Sequence, residues 1–229
     1  MKKRGKLYLV LILAGILLIL AAVGFFGKSS EKNDKQEEEQ EEVVTLDFPY
    51  ELADGKLEIT SLFQSDVPNP DNNFEEGTDL ASIELLNKSG EYLESAEVIL
   101  VMVEGTELKF TIQDLPAGEK VWAFDLNNTS IEAESGCLSA ECETVFSETS
   151  SDWTTGFQAE TDGSSVMITN LTTEEQTDLP VTCHCLMEET FIGVTAYEYS
   201  IESLQLGETT NLDVIECYFG DAKVVCIEP

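Results

Sequence analysis

Hydrophobic and polar positions divide the chain into three stretches with different patterns. Residues 7–26 (LYLVLILAGILLILAAVGFF) form a run of 20 residues without a charge. At about 1.5 Å per helical residue, this run reaches about 30 Å, the thickness of a bilayer's hydrocarbon core. Lys2, Lys3, Arg4 and Lys6 precede it, which holds the N-terminus in the cytoplasm and directs everything after the run outward. A cleaved signal peptide would have a shorter apolar region and a small-residue cleavage site, and Ala21-Ala22-Val23-Gly24 is a poor one. No Cys follows the run, so a lipoprotein anchor is not expected. Residues 1–27 are therefore read as a basic cytoplasmic tip and a single transmembrane helix. Residues 28–45 (KSSEKNDKQEEEQEEVVT) show no apolar period and are read as an acidic linker.

From residue 46 onward the pattern has a period of two. Residues 56–63 (KLEITSLF) alternate after the turn Asp54-Gly55. Residues 80–86 lead into the polar turn at 87–90 (NKSG). Residues 96–103 are almost wholly apolar, as a strand in the middle of a sandwich would be. Residues 108–112 and 119–126 alternate again. Further strands are predicted at 153–160, 165–171, 180–187, 195–203, 209–219 and 222–228, with turns at Asp162-Gly163, Leu206-Gly207 and Gly220-Asp221. Closely spaced strands with no long helical period predict an all-β chain of one or two immunoglobulin-like antiparallel sandwiches.

A weak internal repeat favours two. Asn87, a polar turn, a buried strand ending at Met102 and the turn Leu115-Pro116-Ala117-Gly118 precede the strand VWAFDL. Asn170, a polar turn, a strand ending at Met187 and the turn Leu204-Gln205-Leu206-Gly207 precede TNLDVI. The expected boundaries are 46–149 for the first sandwich and 150–229 for the second. The single larger sandwich is the alternative. With these turns, both followed by a Glu, the pattern from residue 80 onward resembles the FxLYD-type and related immunoglobulin-like modules of membrane-anchored Gram-positive surface proteins. The FxLYD tetrapeptide is absent. The resemblance implies an extracytoplasmic module without catalysis, and no binding residue carries over from it.

Charge changes the picture of partners. The formal net charge is −33, from 12 Lys and Arg against 45 Asp and Glu. The basic tip and the acidic linker cancel, so residues 43–229 carry the whole deficit, with Lys56, Lys88, Lys109, Lys120 and Lys223 as their only bases. No basic patch exists to neutralise phosphates, which excludes nucleic acid as a partner. No Gly-rich phosphate loop occurs. Arg4 is the only Arg, so the folded part has no bidentate clamp for an anion. The charge also predicts that mild acid stabilises the fold by relieving self-repulsion.

Six cysteines (Cys137, Cys142, Cys183, Cys185, Cys217 and Cys226) lie beyond the anchor. An even number in an exported chain favours disulfides. Cys137 and Cys142 are expected to close a local loop. Cys183 and Cys185, two apart on a strand, share a face and do not suit each other. Cys217 and Cys226 flank a turn and either pair with each other or receive Cys183 and Cys185, the second being favoured. A zinc site at Cys183, His184, Cys185, Cys217 and Cys226 is disfavoured, because alternation turns His184 away from its neighbours. The same alternation removes a Cys–His catalytic pair, and His184 is the only His.

The loop 65–79 (SDVPNPDNNFEEGTD) gathers oxygen ligands. Asp66, Asp71, Asn73, Glu75 and Asp79 are the candidate Ca²⁺ ligands, though the spacing is not that of an EF-hand. Trp122 and Trp153 are candidate aromatic platforms, with Trp122 assigned to a core. Formal glycosylation sequons stand at Asn87, Asn127, Asn128 and Asn170. No catalytic residue and no cofactor is predicted. The expected protein is a single-pass cell-membrane protein with its C-terminal part outside, held by residues 7–26, that binds a protein or cell-wall partner. A Ca²⁺-binding adhesin or sensor and a thiol- or metal-dependent enzyme are the alternatives.

Overall fold

A computed structural model describes residues 44–229 except 68, 73–76, 148–152, 194 and 229. The predicted anchor and linker lie outside the described residues, and no helix among those described is long and apolar enough to cross a membrane. The described chain is all-β. Its strands are β1 (Tyr50–Leu52), β2 (Leu57–Ser65), β3 (Leu80–Asn87), β4 (Tyr92–Met102), β5 (Glu107–Leu115), β6 (Lys120–Phe124), β7 (Cys137–Ser147), β8 (Phe157–Asp162), β9 (Ser165–Asn170), β10 (Gln176–Met187), β11 (Thr190–Ile192), β12 (Tyr197–Leu204), β13 (Thr209–Asp213) and β14 (Asp221–Ile227).

The strands build a β-sandwich-like arrangement of three sheets. One sheet runs β1-β2-β3-β6-β11-β10-β12, with β14 also on β10, and two three-stranded sheets run β5-β4-β7 and β13-β9-β8. The arrangement is duplicated. In the first half β2-β3-β6 goes with β5-β4-β7, and in the second half β8-β9-β13 goes with β12-β10-β14. The short strand β11 is the extra piece. It leaves β10 by a tight hairpin and pairs in parallel with β6, Phe191 opposite Val121 and Ile192 opposite Trp122. That pairing fuses a sheet of the first half to a sheet of the second, so Val43–Pro229 is one compact unit.

Alternation explains which side chains go inward. On β4, Leu93, Ala96, Val98, Leu100 and Met102 are buried, and the intervening residues are exposed or half-buried. The apolar run read as a central strand is central, between β5 and β7. On β10, Leu179, Val181, Cys183 and Cys185 enter a second core. The two cores interlock at their boundary. Phe191 and Val225, from the second half, belong to the first core, and Phe124, from the first half, belongs to the second.

Several sequence expectations differ from the structure. Residues 137–147 form an eleven-residue strand, β7, where the sequence suggested a loop. Its Ser, Ala and Glu positions carry little apolar signal, and pairing with β4 supplies the strand. The segment 209–219 is divided: β13 ends at Asp213 and Ile215–Cys217 turns as a 3₁₀ helix. β13 and β14 therefore lie in different sheets rather than in one hairpin.

Candidate functional site

The turn at Asn87 and its counterpart at Asn170 are closely matched polar structures. Asn87 Nδ2 donates to the carbonyls of Leu115 and Glu91, each at 3.0 Å, and its Oδ1 accepts the Ser89 hydroxyl at 2.6 Å. Asn170 Nδ2 donates to Leu204 O and Glu174 O at 2.9 Å, and its Oδ1 accepts the Thr172 hydroxyl at 2.7 Å. The backbones match too. Gly118 N–H donates to Asn87 O and Gly207 N–H to Asn170 O, at 2.8 and 2.9 Å. Gly118 and Gly207 hold positive φ of 80° and 72°, which glycine adopts without strain. Each Asn thus ties its own turn to the Leu-x-x-Gly-Glu turn of the same half. Two of the four sequons are these braces: both Asn residues are 0% exposed, and the Ser or Thr two positions on is part of the brace.

The cysteines form one disulfide, Cys185–Cys217. It ties central strand β10 to the turn after β13, in the manner favoured for the 183/185 and 217/226 pairs. The other cysteine expectations are corrected. Cys137 and Cys142 are thiols five residues apart on β7, about 17 Å of extended chain, so they cannot close a loop on each other. Cys183 and Cys226 are thiols as well. A register shift between Thr182 and Cys183 accompanies Cys183 facing the second core, to which Cys226 does not belong. Burial pushes the Cys183 thiol up to about 12, which makes it a poor nucleophile.

His184 points the other way from Cys183 and Cys185, as alternation requires. It is 1% exposed and lies 4.8 Å from the Phe191 ring, in the boundary between the two cores. Neither ring nitrogen has a hydrogen-bond partner. Burial lowers its pKa to about 4 and outweighs backbone groups of Gln113 and Cys185, which lie near enough to favour the charged ring. A neutral imidazole walled in this way has no access to substrate.

The loop read as a cation site is only partly described. Asn73 and Glu75 lie outside the described residues, as does the side chain of Asp71. Asp66 Oδ1 accepts the Asp79 N–H at 3.1 Å, so these two close the loop on itself. Among the described residues no group of three His, Cys, Asp or Glu could hold a metal ion.

Among the described residues lies a cleft of about 700 Å³. It opens where β8 and β14, strands of two different sheets, lie side by side. Three bonds close the seam between them. Trp153 Nε1–H donates to Val225 O at 3.2 Å, the Thr161 hydroxyl to Ala222 O at 2.8 Å, and Ala222 N–H to Gly163 O at 2.8 Å. Leu186, Ala222 and Val224 give the cleft an apolar lining, and Trp153 adds an indole. Charge comes from both halves of the chain: Lys223 Nζ meets Glu119 Oε1 at 2.7 Å, with Glu189 and Asp221 beside them. Trp153, one of the two candidate platforms, lines this cleft. Trp122 is half-buried, its Nε1–H bonded to Glu84 Oε2 at 3.1 Å.

Glu119, Glu189, Asp221 and Lys223 carry no sequence motif. The available hint is that Lys223 is one of only five bases in residues 43–229 and sits in an otherwise apolar alternating strand. No protein-family model, curated protein or solved structure matches the chain.

Proposed function

We propose that this chain is a membrane-anchored, extracytoplasmic binding and assembly module made of two immunoglobulin-like sandwiches, without catalysis. The uncharged run at 7–26 behind four bases supports the anchor, and the disulfide supports an oxidising exterior. The single observation that carries a binding role is the Trp153 cleft, where an indole, an apolar lining and a charged rim coincide. Acidic groups outnumber bases on that rim, and the whole fold is acidic. The partner is therefore a basic, partly apolar segment of another protein.

The test is a fluorescence titration of the full chain carrying Trp122→Phe, which leaves Trp153 as its only indole. The probes are a short peptide alternating Lys with Leu and its Gln-for-Lys analogue, at about 0.15 M salt. A saturable change with the Lys peptide, weakened about tenfold by Glu189→Gln with Asp221→Asn, supports the reading. The remote pair Glu141→Gln with Glu143→Gln is the control. No saturable change, or equal weakening by the remote pair, refutes a cleft-centred role. External protease on intact cells tests the topology: it should remove residues 43–229 and spare the basic tip.

A further inference from the structure

We propose that His184 makes the joint between the two halves of the molecule acid-releasable, with protonation of its ring parting β11 from β6. The inference goes beyond the binding role and does not depend on what the cleft takes.

In strand pairing the joint is narrow, although side chains also interlock across it. β11 has three residues, and its parallel pairing with β6 is the only strand pairing between the halves among the described residues. Gly193 N–H adds one bond to Trp122 O at 3.0 Å. Phe191 is the plug. It is 0% exposed, comes from the second half and packs in the first core. His184 lies against that ring, and Lys223, opposite His184 in the β10–β14 register, places its Nζ 5.1 Å from the same ring's centroid.

Protonation would give two buried N–H donors, neither aligned with an acceptor and with only the backbones of Gln113 and Cys185 near, beside an ammonium group already in place. The charged and titratable neighbours do not relieve this. From β14 the facing group is Lys223, a like charge. Glu119, ahead of β6, is bonded to Lys223. From β5 the Gln113 backbone approaches and, with that of Cys185, favours the charged ring without outweighing burial. The next residue, Asp114, accepts the Tyr92 hydroxyl at 2.9 Å. From β11 the contact is an uncharged ring. A buried cation compensated this poorly moves the structure before it accepts the proton. The weakest element it touches is β11.

One His in the chain makes the test unambiguous. The imidazole of the full chain is followed by NMR between about pH 7 and about pH 4, together with exchange of the Phe191 and Gly193 amides corrected for intrinsic rates. The expected result is a ring that stays neutral at about pH 6 and titrates only as those amides lose protection by about tenfold or more. Amides of the β4–β7 pairing should keep theirs. His184→Phe, which fills the space without titrating, should keep the joint closed over the same range. His184→Leu is the second variant, and the wild-type titration decides if neither folds. A ring that titrates near the ordinary histidine value with protection unchanged would overturn the proposal. So would acid release that persists in His184→Phe or that vanishes in Asp114→Asn.

Discussion

Asn87 and Asn170 show how much one side chain can organise at the residue scale. Each fills a buried site with bonds to a neighbouring turn and to a carbonyl about thirty residues away. Replacing Asn170 by Ala would orphan buried carbonyls and is expected to cost about 3 kcal/mol, read as a lowered urea midpoint with unchanged slope. Asn87→Ala should behave alike, because its bonds are the same. His184 sets a pH dependence of known sign. Its folded pKa is depressed below the unfolded value, so its contribution is complete above about pH 6.5 and is lost as pH falls towards about 4, for about 3 kcal/mol in all. Asp114 acts oppositely. Burial and the charges of Glu198, Glu94 and Glu228 raise its pKa, although the Tyr92 hydroxyl lowers it, so stability rises as it takes a proton. Chemical denaturation across this range should show a stability maximum on the acid side of neutrality and a fall below it that His184→Phe removes.

At the scale of elements, hairpins and cross-links decide how the strands are held. The β10–β11 turn has Glu188 and Glu189 at positive φ of 50° and 69°. A two-residue hairpin of this kind favours Asn-Gly. Glu188→Asn with Glu189→Gly should therefore raise stability by about 1 kcal/mol in thermal unfolding. The same change removes a carboxylate from the cleft and should weaken binding of the Lys peptide, which would explain why a strained pair stands there. Gly220 is required for a different reason. A Cβ there would lie 2.1 Å from Leu186 O, so Gly220→Ala forces β14 away from β10 and should be among the most damaging substitutions. The Cys185–Cys217 bond spans 32 residues. Its loss in a double Cys→Ala variant should cost about 3–4 kcal/mol of unfolding free energy.

At the scale of the whole molecule, charge and fusion dominate. Residues 43–229 carry a large excess of acid, and among the described residues a few local ion pairs offset it: Lys56 with Glu91, Lys88 with Glu51 and Glu58, Lys109 with Glu107, Lys120 with Glu84 and Lys223 with Glu119. Added salt screens like charges at separations near a Debye length more than it weakens these few contacts. The melting temperature at about pH 7 should therefore rise with sodium chloride, and a flat or falling trend would show that self-repulsion is unimportant.

Alternation, turn residues and the Asn-to-Leu-x-x-Gly repeat determined the all-β class and most strands from β2 to β6 and β8 to β10, because those signals act within a few residues of one another. Alternation also turned His184 away from its cysteine neighbours. Other features depended on partners distant in the chain. β7 exists because β4 pairs with it, not because its own residues demand a strand. The single disulfide depended on the turn of residues 215–217 beside β10, which strand pattern does not reveal. The cleft draws Glu119, Trp153, Glu189 and Lys223 from separate elements. The fusion through β11 rests on three residues whose parallel partner lies some seventy positions earlier. Local periodicity fixes which face of a strand is apolar. Which sheet that face meets, and which charges end up side by side, is decided only when distant strands pack.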